Sequence, residues 1–425
     1  MDHFTYRNGA LCAEDVAIAD IAKVVGTPFY CYSQATIERH YRVFKEALSG
    51  LDATVCFSVK SNGNLAVLRT LANLGAGADV VSGGELARAL AAGMLPERIV
   101  FSGVGKTEVE IEQALVANIR SINAESEPEL AAIDAVAKRL GKRAQVMLRI
   151  NPDVDAHTHA KITTGLNENK FGIEWTSAHQ VILRARALAH VQIVGLAVHI
   201  GSQMTDLAPF REAFIRVRDL VAMLRADGIA ITHLDLGGGL GVPYDGSETP
   251  PPADYGRIVK ETVGDLGCRL AFEPGRVIVG NAGILVTKVT YMKDGATRRF
   301  VIVDAAMNDL LRPALYDARH AIVPVSATNE APEVVDVVGP VCETGDTFAT
   351  QLSLAPVKAG DYLAIRTAGA YGSVMASTYN SRDLIPEVLV RGHEFAIVRR
   401  RMGLQAFLDY EQFPAWLGGT TEQRS

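Results

Sequence analysis

The spacing of hydrophobic and polar positions changes repeatedly along the chain. From residue 54 to residue 276, short apolar runs rich in β-branched residues alternate with longer segments whose apolar positions recur every three or four residues. This alternation is typical of parallel strands joined by crossover helices. The candidate strands read VCFSV, ADVVS, RIVFS, SINAE, QVMLRIN, VGLAVHI, HLDLG and RLAFE. The helical segments between them read NLAVLRTLANL, GGELARALAAG, EVEIEQALVA, PELAAIDAVAKRL, SAHQVILRARAL, PFREAFIRVRDLVAMLRADG and YGRIVKETVGDLG.

Eight such units in succession favour a closed barrel. A β/α barrel uses all eight strands, whereas a doubly wound sheet would usually need fewer strands and a glycine-rich turn after the first of them. We therefore predict an α/β protein built on a TIM-like (β/α)8 barrel.

The pattern changes after Gly280 to alternating strands with tight turns. Asp294-Gly295 lies between two such runs and is a strong hairpin signal. We expect a C-terminal β-rich domain, a sandwich or small barrel, at residues 278–425 with a closing helical tail. Residues 29–277 would form the barrel, and residues 1–28 would supply strands that join the β domain.

Composition and charge limit the kinds of partner that we expect for this chain. The chain has 425 residues, 48% hydrophobic and 21% charged, with a formal net charge of −6. No basic stripe with interleaved aromatics suggests a nucleic-acid surface, and no apolar run reaches about 18 residues, so we expect neither nucleic acid nor a membrane as partner. The N-terminus has no basic start followed by an apolar core, and the five scattered cysteines predict reduced thiols. These features favour a cytoplasmic enzyme with a small-molecule substrate.

Ionisable and small residues collect where the predicted strands end. In a β/α barrel, catalytic groups lie at the C-terminal ends of the strands. Any one of these residues could be a solvated loop residue, but together they favour a site on one face. They are Lys60, Asp79, Ser102, Asn123, Arg149, His199, Gly237 to Gly239, Glu273 and Arg276.

Lys60 is the candidate nucleophile. A lysine in a partly apolar barrel mouth has a lowered pKa and attacks carbonyls, as in lysine aldolases and pyridoxal phosphate enzymes. The second chemistry needs a phosphate cradle and a partner for the pyridine nitrogen. The glycines of LDLGGGLG at 234–241 suit a phosphate, although turn geometry alone is the alternative. Val242 excludes a dinucleotide fingerprint.

Two further strand ends fit this cofactor. His199 offers an imidazole that could stack on a ring, and Ser202 offers a hydroxyl to a phosphate, although a lone strand histidine is more often structural. Glu273 could keep a pyridine nitrogen protonated, and Arg276 could form a fork with a phosphate or a carboxylate. A surface salt pair is the alternative for these two residues.

A series of motifs carries a family resemblance. In order along the chain they are SVKSN, ADVVSGGEL, LRINP, TGLNENKFG, HIGSQ, GGGLG, EPGR, RPALY, GPVCE and GAYG. The chain thereby resembles the diaminopimelate decarboxylases. These are fold type III pyridoxal-phosphate enzymes, and they share a barrel and a β domain with alanine racemase and with ornithine and arginine decarboxylases.

The resemblance implies pyridoxal 5'-phosphate as cofactor. Lys60 would bind it covalently, His199 would stack on its ring and Glu273 would face the pyridine nitrogen. Asp79, Arg149 and Lys170 would lie behind the residues that touch the cofactor. The remaining cofactor-binding residues would be Ser202, Gly239, Glu273, Pro274, Gly275, Arg276 and Tyr371.

The resemblance also assigns residues of the β domain. Cys342 would protonate the α-carbon after decarboxylation, and a thiol suits this task because its reference pKa of about 8.5 is close to neutral. A buried structural cysteine is the alternative. In this family the loop reaches into the partner subunit, so we expect a homodimer with shared active sites.

The resemblance implies that charged residues recognise the far end of the substrate. An arginine fork at Arg312 suits a distal carboxylate, Tyr316 adds a hydroxyl, and Glu343 could take the distal ammonium. Arg276 and Tyr371 would also contact the substrate. Ornithine or arginine carries only a cation at its far end, which Arg312 would repel. These residues imply decarboxylation of meso-2,6-diaminopimelate at its D centre to L-lysine and CO2, the last step of lysine biosynthesis.

Several alternatives stay open. A related decarboxylase of D-lysine, D-ornithine or carboxynorspermidine comes first, followed by an amino-acid racemase, a non-catalytic homologue and a cofactor-independent lysine aldolase. His157 and His159 form a His-x-His pair, but no further ligands stand at metal spacing. We therefore expect no metal site.

Overall fold

The computed structural model describes residues 2–155, 170–244 and 248–417. The N-terminal segment forms a small antiparallel sheet in the order β1-β2-β3, and a further strand, β4, follows helix α1. Leu11 donates its backbone N–H to the carbonyl of Val325, which attaches this sheet to the C-terminal part of the chain. The elements are β1 (Phe4–Arg7), β2 (Ala10–Ala13), β3 (Val16–Ala17), α1 (Ile18–Val25) and β4 (Phe29–Ser33).

A closed parallel barrel follows. Each of its eight strands pairs in parallel with the next, and β13 pairs back onto β5. The ring consists of β5 (Ala53–Ser58), β6 (Gly77–Val80), β7 (Ile99–Phe101), β8 (Ser121–Ala124), β9 (Ala144–Asn151), β11 (Val191–Ala197), β12 (His233–Asp235) and β13 (Arg269–Phe272), while β10 (Ile173–Glu174) is added on β9. The predicted barrel and all eight predicted strands are confirmed.

Helices surround the barrel at the predicted places. They are α3 (Leu65–Asn73), α4 (Gly83–Ala91), α5 (Glu108–Ala117), α6 (Glu127–Arg139), α7 (Trp175–Ala185), α8 (Ala208–Ala226) and α9 (Pro252–Val263). The sequence patterns did not identify α2 (Gln34–Ala47), which precedes the first barrel strand. Its Phe44 ring lies 6.1 Å from that of Tyr255 on α9. Burial of these aromatic faces attaches α2 to the ring of helices.

The C-terminal part is dominated by a second sheet. Its strands run in the order β18-β17-β15-β14-β4-β20-β21, and β19 pairs with β14 and β16. The predicted hairpin is confirmed, since β14 pairs antiparallel with β15 and Asp294 stands opposite Arg299. The elements are α10 (Arg276–Val279), β14 (Gly283–Asp294), β15 (Arg299–Val303), α11 (Arg312–Tyr316), β16 (Ile322–Pro324), β17 (Glu333–Val338), β18 (Thr347–Leu354), β19 (Tyr362–Ile365), β20 (Glu387–Arg391), β21 (Glu394–Arg399) and α12 (Leu404–Leu408).

Strand pairing joins the two ends of the chain. Strand β4 lies between β14 and β20, antiparallel to the first and parallel to the second. Residues Phe29–Ser33 therefore belong to the second sheet, and the first element against the barrel begins at Gln34. The division into domains at residues 28 and 277 stays a prediction.

Candidate active site

A cavity of about 480 Å³ opens at the C-terminal ends of the barrel strands. Most of the predicted cofactor and substrate residues line it, although they come from distant parts of the sequence. They are Lys60, His199, Ser202, Gly239, Glu273, Pro274, Gly275, Arg276, Arg312, Tyr316 and Tyr371.

Lys60 lies in a short 3-10 turn that directly follows strand β5. Its Nζ is 3.0 Å from Oδ2 of the fully buried Asp79, which also accepts a hydrogen bond of 2.7 Å from Ser58. Desolvation lowers the pKa of Lys60, but the charges of Asp79 and Glu273 outweigh it and raise the pKa above its usual range. The predicted lowered pKa is therefore wrong for the protein alone, because the neighbouring strand supplies a carboxylate.

The turn that carries Lys60 is held by the second sheet and its loops. Asn62 donates to the carbonyl of Gly369 at 3.0 Å, and the backbone N–H of Tyr371 donates to the carbonyl of Ser61 at 2.8 Å. Asn64 donates to Oε1 of Glu387 on β20 at 3.0 Å. The C-terminal part of the chain thus contributes directly to the position of Lys60.

Glu273 belongs to a buried polar cluster inside the barrel mouth. Ser102 donates to its Oε1 at 3.1 Å, and Asn123 donates to both Ser102 and Asp235 at 3.0 Å. Burial, followed by the charges of Asp235 and Asp79, raises the pKa of Glu273 well above its usual range. Burial also raises the pKa of Asp235. Burial and the neighbouring carboxyl groups therefore favour the protonated form of Glu273.

His199 lies on the cavity wall as a neutral ring. Burial first, then the charges of Arg149 and Lys60, lower the pKa of His199 to about 3. Its Nδ1 accepts a hydrogen bond of 3.2 Å from the backbone N–H of Gly238. A neutral imidazole presents an uncharged face to the cavity, which suits stacking on a flat ring.

Glycines let the backbone approach the cavity closely. Gly239 has a φ of +121°, and a Cβ there would lie 2.6 Å from the carbonyl oxygen of Gly201. A Cβ on Gly275 would lie 2.9 Å from Ser61. Beside them, Arg276 donates to the hydroxyl of Ser202 at 3.1 Å, and its buried Nε makes no hydrogen bond within the described residues. This polar cradle fits a phosphate group.

Arg276 and Arg312 form the cationic side of the cavity. The ring of Tyr244 contacts both, with its centroid 5.7 Å from Cζ of Arg276 and 4.6 Å from Cζ of Arg312. Arg312 also donates through Nε to Nε2 of His320 at 3.4 Å. In the part of the chain that the structure describes, neither arginine forms an ion pair with a carboxylate. Tyr244 and His320 were not among the predicted residues, because they lie on loops outside any of the motifs.

The β-domain residues Cys342 and Glu343 lie elsewhere. Both are exposed, and neither lines the cavity of its own chain. Glu343 accepts a hydrogen bond of 2.9 Å from Tyr379, and the backbone N–H of Cys342 donates to Asn380 at 3.4 Å. The structure therefore does not bring these two residues together with Lys60 within one chain.

Two other predicted residues, Arg149 and Lys170, do not line the cavity, and the His-x-His pair lies outside the described residues. Arg149 pairs with Glu125 at 3.0 Å behind His199, and Lys170 is exposed beside the ring of Phe171. His157 and His159 lie outside the described residues. Among the residues described, no group of three or more His, Cys, Asp or Glu side chains could hold a metal ion, and no helix is long and apolar enough to span a membrane.

The cavity has the parts that pyridoxal phosphate requires: a lysine, a neutral ring on one wall, a carboxyl group deep in the barrel and a glycine-lined polar cradle. Residues 34–280 match the family model "Pyridoxal-dependent decarboxylase, pyridoxal binding domain". The chain therefore belongs to the pyridoxal-dependent decarboxylases.

Comparison with similar proteins identifies the family within the pyridoxal-dependent decarboxylases. The chain is 51% identical to diaminopimelate decarboxylase of Pseudomonas aeruginosa over 95% of this chain and 97% of that protein. It is 44% identical, with a TM-score of 0.89, to the crystal structure of the Helicobacter pylori diaminopimelate decarboxylase complexed with L-lysine, covering 92% of this chain and 98% of that one. The corresponding M. jannaschii structure, also with L-lysine, gives 38% identity and a TM-score of 0.93 over 98% and 100% of the two chains. Within its class, the chain belongs to the diaminopimelate decarboxylase family.

Proposed function

We propose that this protein decarboxylates meso-2,6-diaminopimelate at its D centre and releases L-lysine and CO2, the last step of lysine biosynthesis. The observation that carries the proposal is the pair of guanidinium groups, Arg276 and Arg312, that face the same cavity as Lys60 without a carboxylate partner among the described residues. A substrate with a carboxylate at each end supplies two anions to this cavity. Similarity to decarboxylases of this substrate supports the same conclusion.

Pyridoxal phosphate, when bound, supplies the electron sink for the pair of electrons that remains on the α-carbon after CO2 departs. Lys60 would hold the cofactor, and Asp79 accepts a hydrogen bond from Lys60 and stabilises its charged form. Ser202, Gly239 and the backbone of residues 273–276 would hold its phosphate. Arg276 donates to Ser202 and so orders this cradle.

Glu273 would control a proton at the pyridine nitrogen of the bound cofactor. Burial and Asp235 raise its pKa and favour the acid form, which would donate to that nitrogen. A carboxylate at this place would stabilise a cationic ring by charge. Asn123 and Ser102 keep both carboxyl groups in place through hydrogen bonds.

The far end of the substrate selects diaminopimelate over its competitors. Arg312 is 5% exposed, so an anion bound there is largely withdrawn from water and its interaction is strong. Ornithine and arginine would place a cation beside this guanidinium. D-lysine lacks the distal carboxylate and would leave Arg312 without an anion.

We also propose a homodimer in which Cys342 and Glu343 enter the partner's cavity. Their exposure within one chain supports this arrangement, since a proton donor must reach the α-carbon. The five free thiols are compatible with a reducing, cytoplasmic location, which we propose as well.

The test is L-lysine formation by purified protein supplied with pyridoxal phosphate and meso-diaminopimelate. L-Ornithine, L-arginine and D-lysine serve as parallel substrates, and Lys60→Ala is the inactive control. We expect lysine from diaminopimelate and at least 100-fold lower kcat/KM for the others, about 3 kcal/mol of discrimination. A diamine product formed at a comparable rate would reject the substrate, and absence of decarboxylation would reject the activity.

A further inference from the structure

The guanidinium of Arg312 is held on two sides by residues outside the predicted motifs. Helix α11 begins at Arg312, and the side chain is almost completely buried. Nε donates to Nε2 of His320, and Cζ lies 4.6 Å from the ring centroid of Tyr244. Within the described parts of the chain, its terminal nitrogens make no hydrogen bond. The bidentate end of the group is therefore left for a ligand in the cavity.

His320 is fixed in one tautomer by its second nitrogen. Its Nδ1 lies 2.8 Å from the backbone carbonyl of Arg366, which can only accept, so Nδ1 carries the hydrogen and Nε2 is the acceptor. Burial lowers the pKa of His320 to about 4, which keeps the ring neutral near pH 7. A neutral acceptor orients Arg312 without neutralising its charge. A carboxylate at this position would have satisfied the guanidinium and weakened its interaction with a ligand.

Tyr244 contacts both cationic groups of the cavity. Its ring centroid lies 4.6 Å from Cζ of Arg312 and 5.7 Å from Cζ of Arg276, and its hydroxyl accepts a hydrogen bond from Arg276. The same ring meets His320 edge-on, with centroids 5.0 Å apart and planes at 78°. Cation–π contacts stabilise the two guanidinium groups without adding a negative charge. Tyr244 thus contacts two like charges without neutralising either of them.

We propose that Tyr244 and His320 are positioning residues that orient Arg312 toward the distal carboxylate of the substrate and thereby set the specificity for it. This inference rests on the proposed function, because it concerns the same cavity and substrate. It assigns a role to two residues that touch Arg312 rather than the reacting atoms. A role only in folding would instead affect every ligand alike.

The experiment compares two ligands that differ in one carboxylate. L-Lysine and cadaverine are titrated into the pyridoxal phosphate holoenzyme by calorimetry, with the wild type, His320→Asn, Tyr244→Leu and Tyr244→Phe. Asparagine retains a donor for the carbonyl of Arg366 but places no acceptor at the position of Nε2, and phenylalanine retains the ring that contacts both arginines. We expect His320→Asn and Tyr244→Leu to weaken L-lysine binding about tenfold and cadaverine binding less than twofold. Tyr244→Phe should change L-lysine binding less than threefold.

A double-mutant cycle separates positioning from a general structural effect. In the Arg312→Met background, L-lysine binding is already weakened, and adding His320→Asn should weaken it no further. Equal weakening of both ligands by His320→Asn and Tyr244→Leu, or an additive effect in the Arg312→Met background, would overturn the inference. Wild-type protein that forms no lysine from diaminopimelate would instead reject the proposed function. Circular dichroism and cofactor absorbance verify that each variant is folded and loaded.

Discussion

Single side chains in this site are governed by their neighbours across the barrel mouth. The pKa values of Lys60 and Glu273 are both raised, that of Lys60 by the charge of Asp79 at 3.0 Å and that of Glu273 by burial next to Asp235. His199 stays neutral in the same environment. The cavity therefore brings together a carboxyl group, an ammonium group and a neutral imidazole, and the roles of the carboxyl group and the imidazole can be tested by substitution.

The Glu273→Gln substitution tests whether Glu273 acts as an acid. Glutamine preserves the size of the side chain and can accept the hydrogen bond from Ser102, but it has no proton to give to the pyridine nitrogen. We expect kcat to fall about 100-fold with KM changed only a few-fold, since proton transfer contributes roughly that much. Steady-state kinetics at full cofactor occupancy, verified by absorbance, measures this. A kcat within threefold of the wild type would contradict the role of Glu273.

The His199→Asn substitution tests, through the pH dependence of stability, whether the ring of His199 is neutral in the folded protein. The folded-state pKa of about 3 lies below the unfolded value of 6.5, so between these values the unfolded chain binds more protons. Stability should therefore fall as the pH decreases from 6.5 toward 3. Asparagine retains an acceptor for the N–H of Gly238 but does not titrate. The His199→Asn variant should therefore lack the part of the acid-induced loss of stability that comes from protonation of His199.

The measurement is urea unfolding of the cofactor-free protein at pH 6.5 and pH 5. Because the ring is partly exposed to water, we expect the wild type to lose about 1 kcal/mol more than His199→Asn between these values. Equal losses in the two proteins would show that His199 is protonated equally in the folded and unfolded states.

At the scale of elements, the turn after β5 depends on a strand from the far end of the chain. Asn64 caps helix α3 by accepting from the N–H of Ala66, and it donates to Glu387 on β20. Glu387 also accepts hydrogen bonds from Tyr32 and Ser373. Rearrangement of this network would move the segment that carries Lys60.

The Asn64→Ser substitution separates two roles of Asn64, the cap of helix α3 and the hydrogen bond to Glu387 on β20. Serine still caps the helix, but it cannot reach Glu387, so a buried acceptor loses one of its donors. We expect about 1 kcal/mol lower stability and a kcat lowered at least fivefold. Thr107→Ala is the matched control, because it removes the cap of α5 away from the cavity and should cost about 1 kcal/mol while leaving kcat unchanged. Equal effects of the two variants on kcat would exclude a positioning role for Asn64.

The same elements show how far sequence reasoning extends. Short apolar runs and helical periodicity predict all eight barrel strands, because both patterns follow from local burial. Helix α2 was missed because it precedes the first counted strand and follows β4, a strand of the other sheet. The pKa of Lys60 was predicted in the wrong direction because its sign depends on Asp79, a residue of the adjacent strand. Tyr244 and His320 were missed because only their contact with Arg312 gives them a function.

At the scale of the whole molecule, the cavity of one chain is incomplete for the proposed reaction. Within the described residues its lining contains no thiol, while Cys342 is exposed on the connection between β17 and β18. In the proposed homodimer, Lys60 of one chain would act together with Cys342 of the other chain. Homodimers commonly have twofold symmetry, which places two equivalent sites at one interface.

A mixed dimer tests this arrangement. Lys60→Ala and Cys342→Ala are each expected to reduce activity at least 100-fold, whereas a mixture refolded together should recover about a quarter of the wild-type activity, since half of the randomly formed dimers contain one intact site. Unmixed variants treated identically are the control, and sedimentation verifies that dimers form. If Cys342 acted on Lys60 of its own chain, each mixed dimer would still contain two defective sites. Failure to recover activity in verified mixed dimers would therefore reject the shared site and leave the fold and the cofactor assignment untouched.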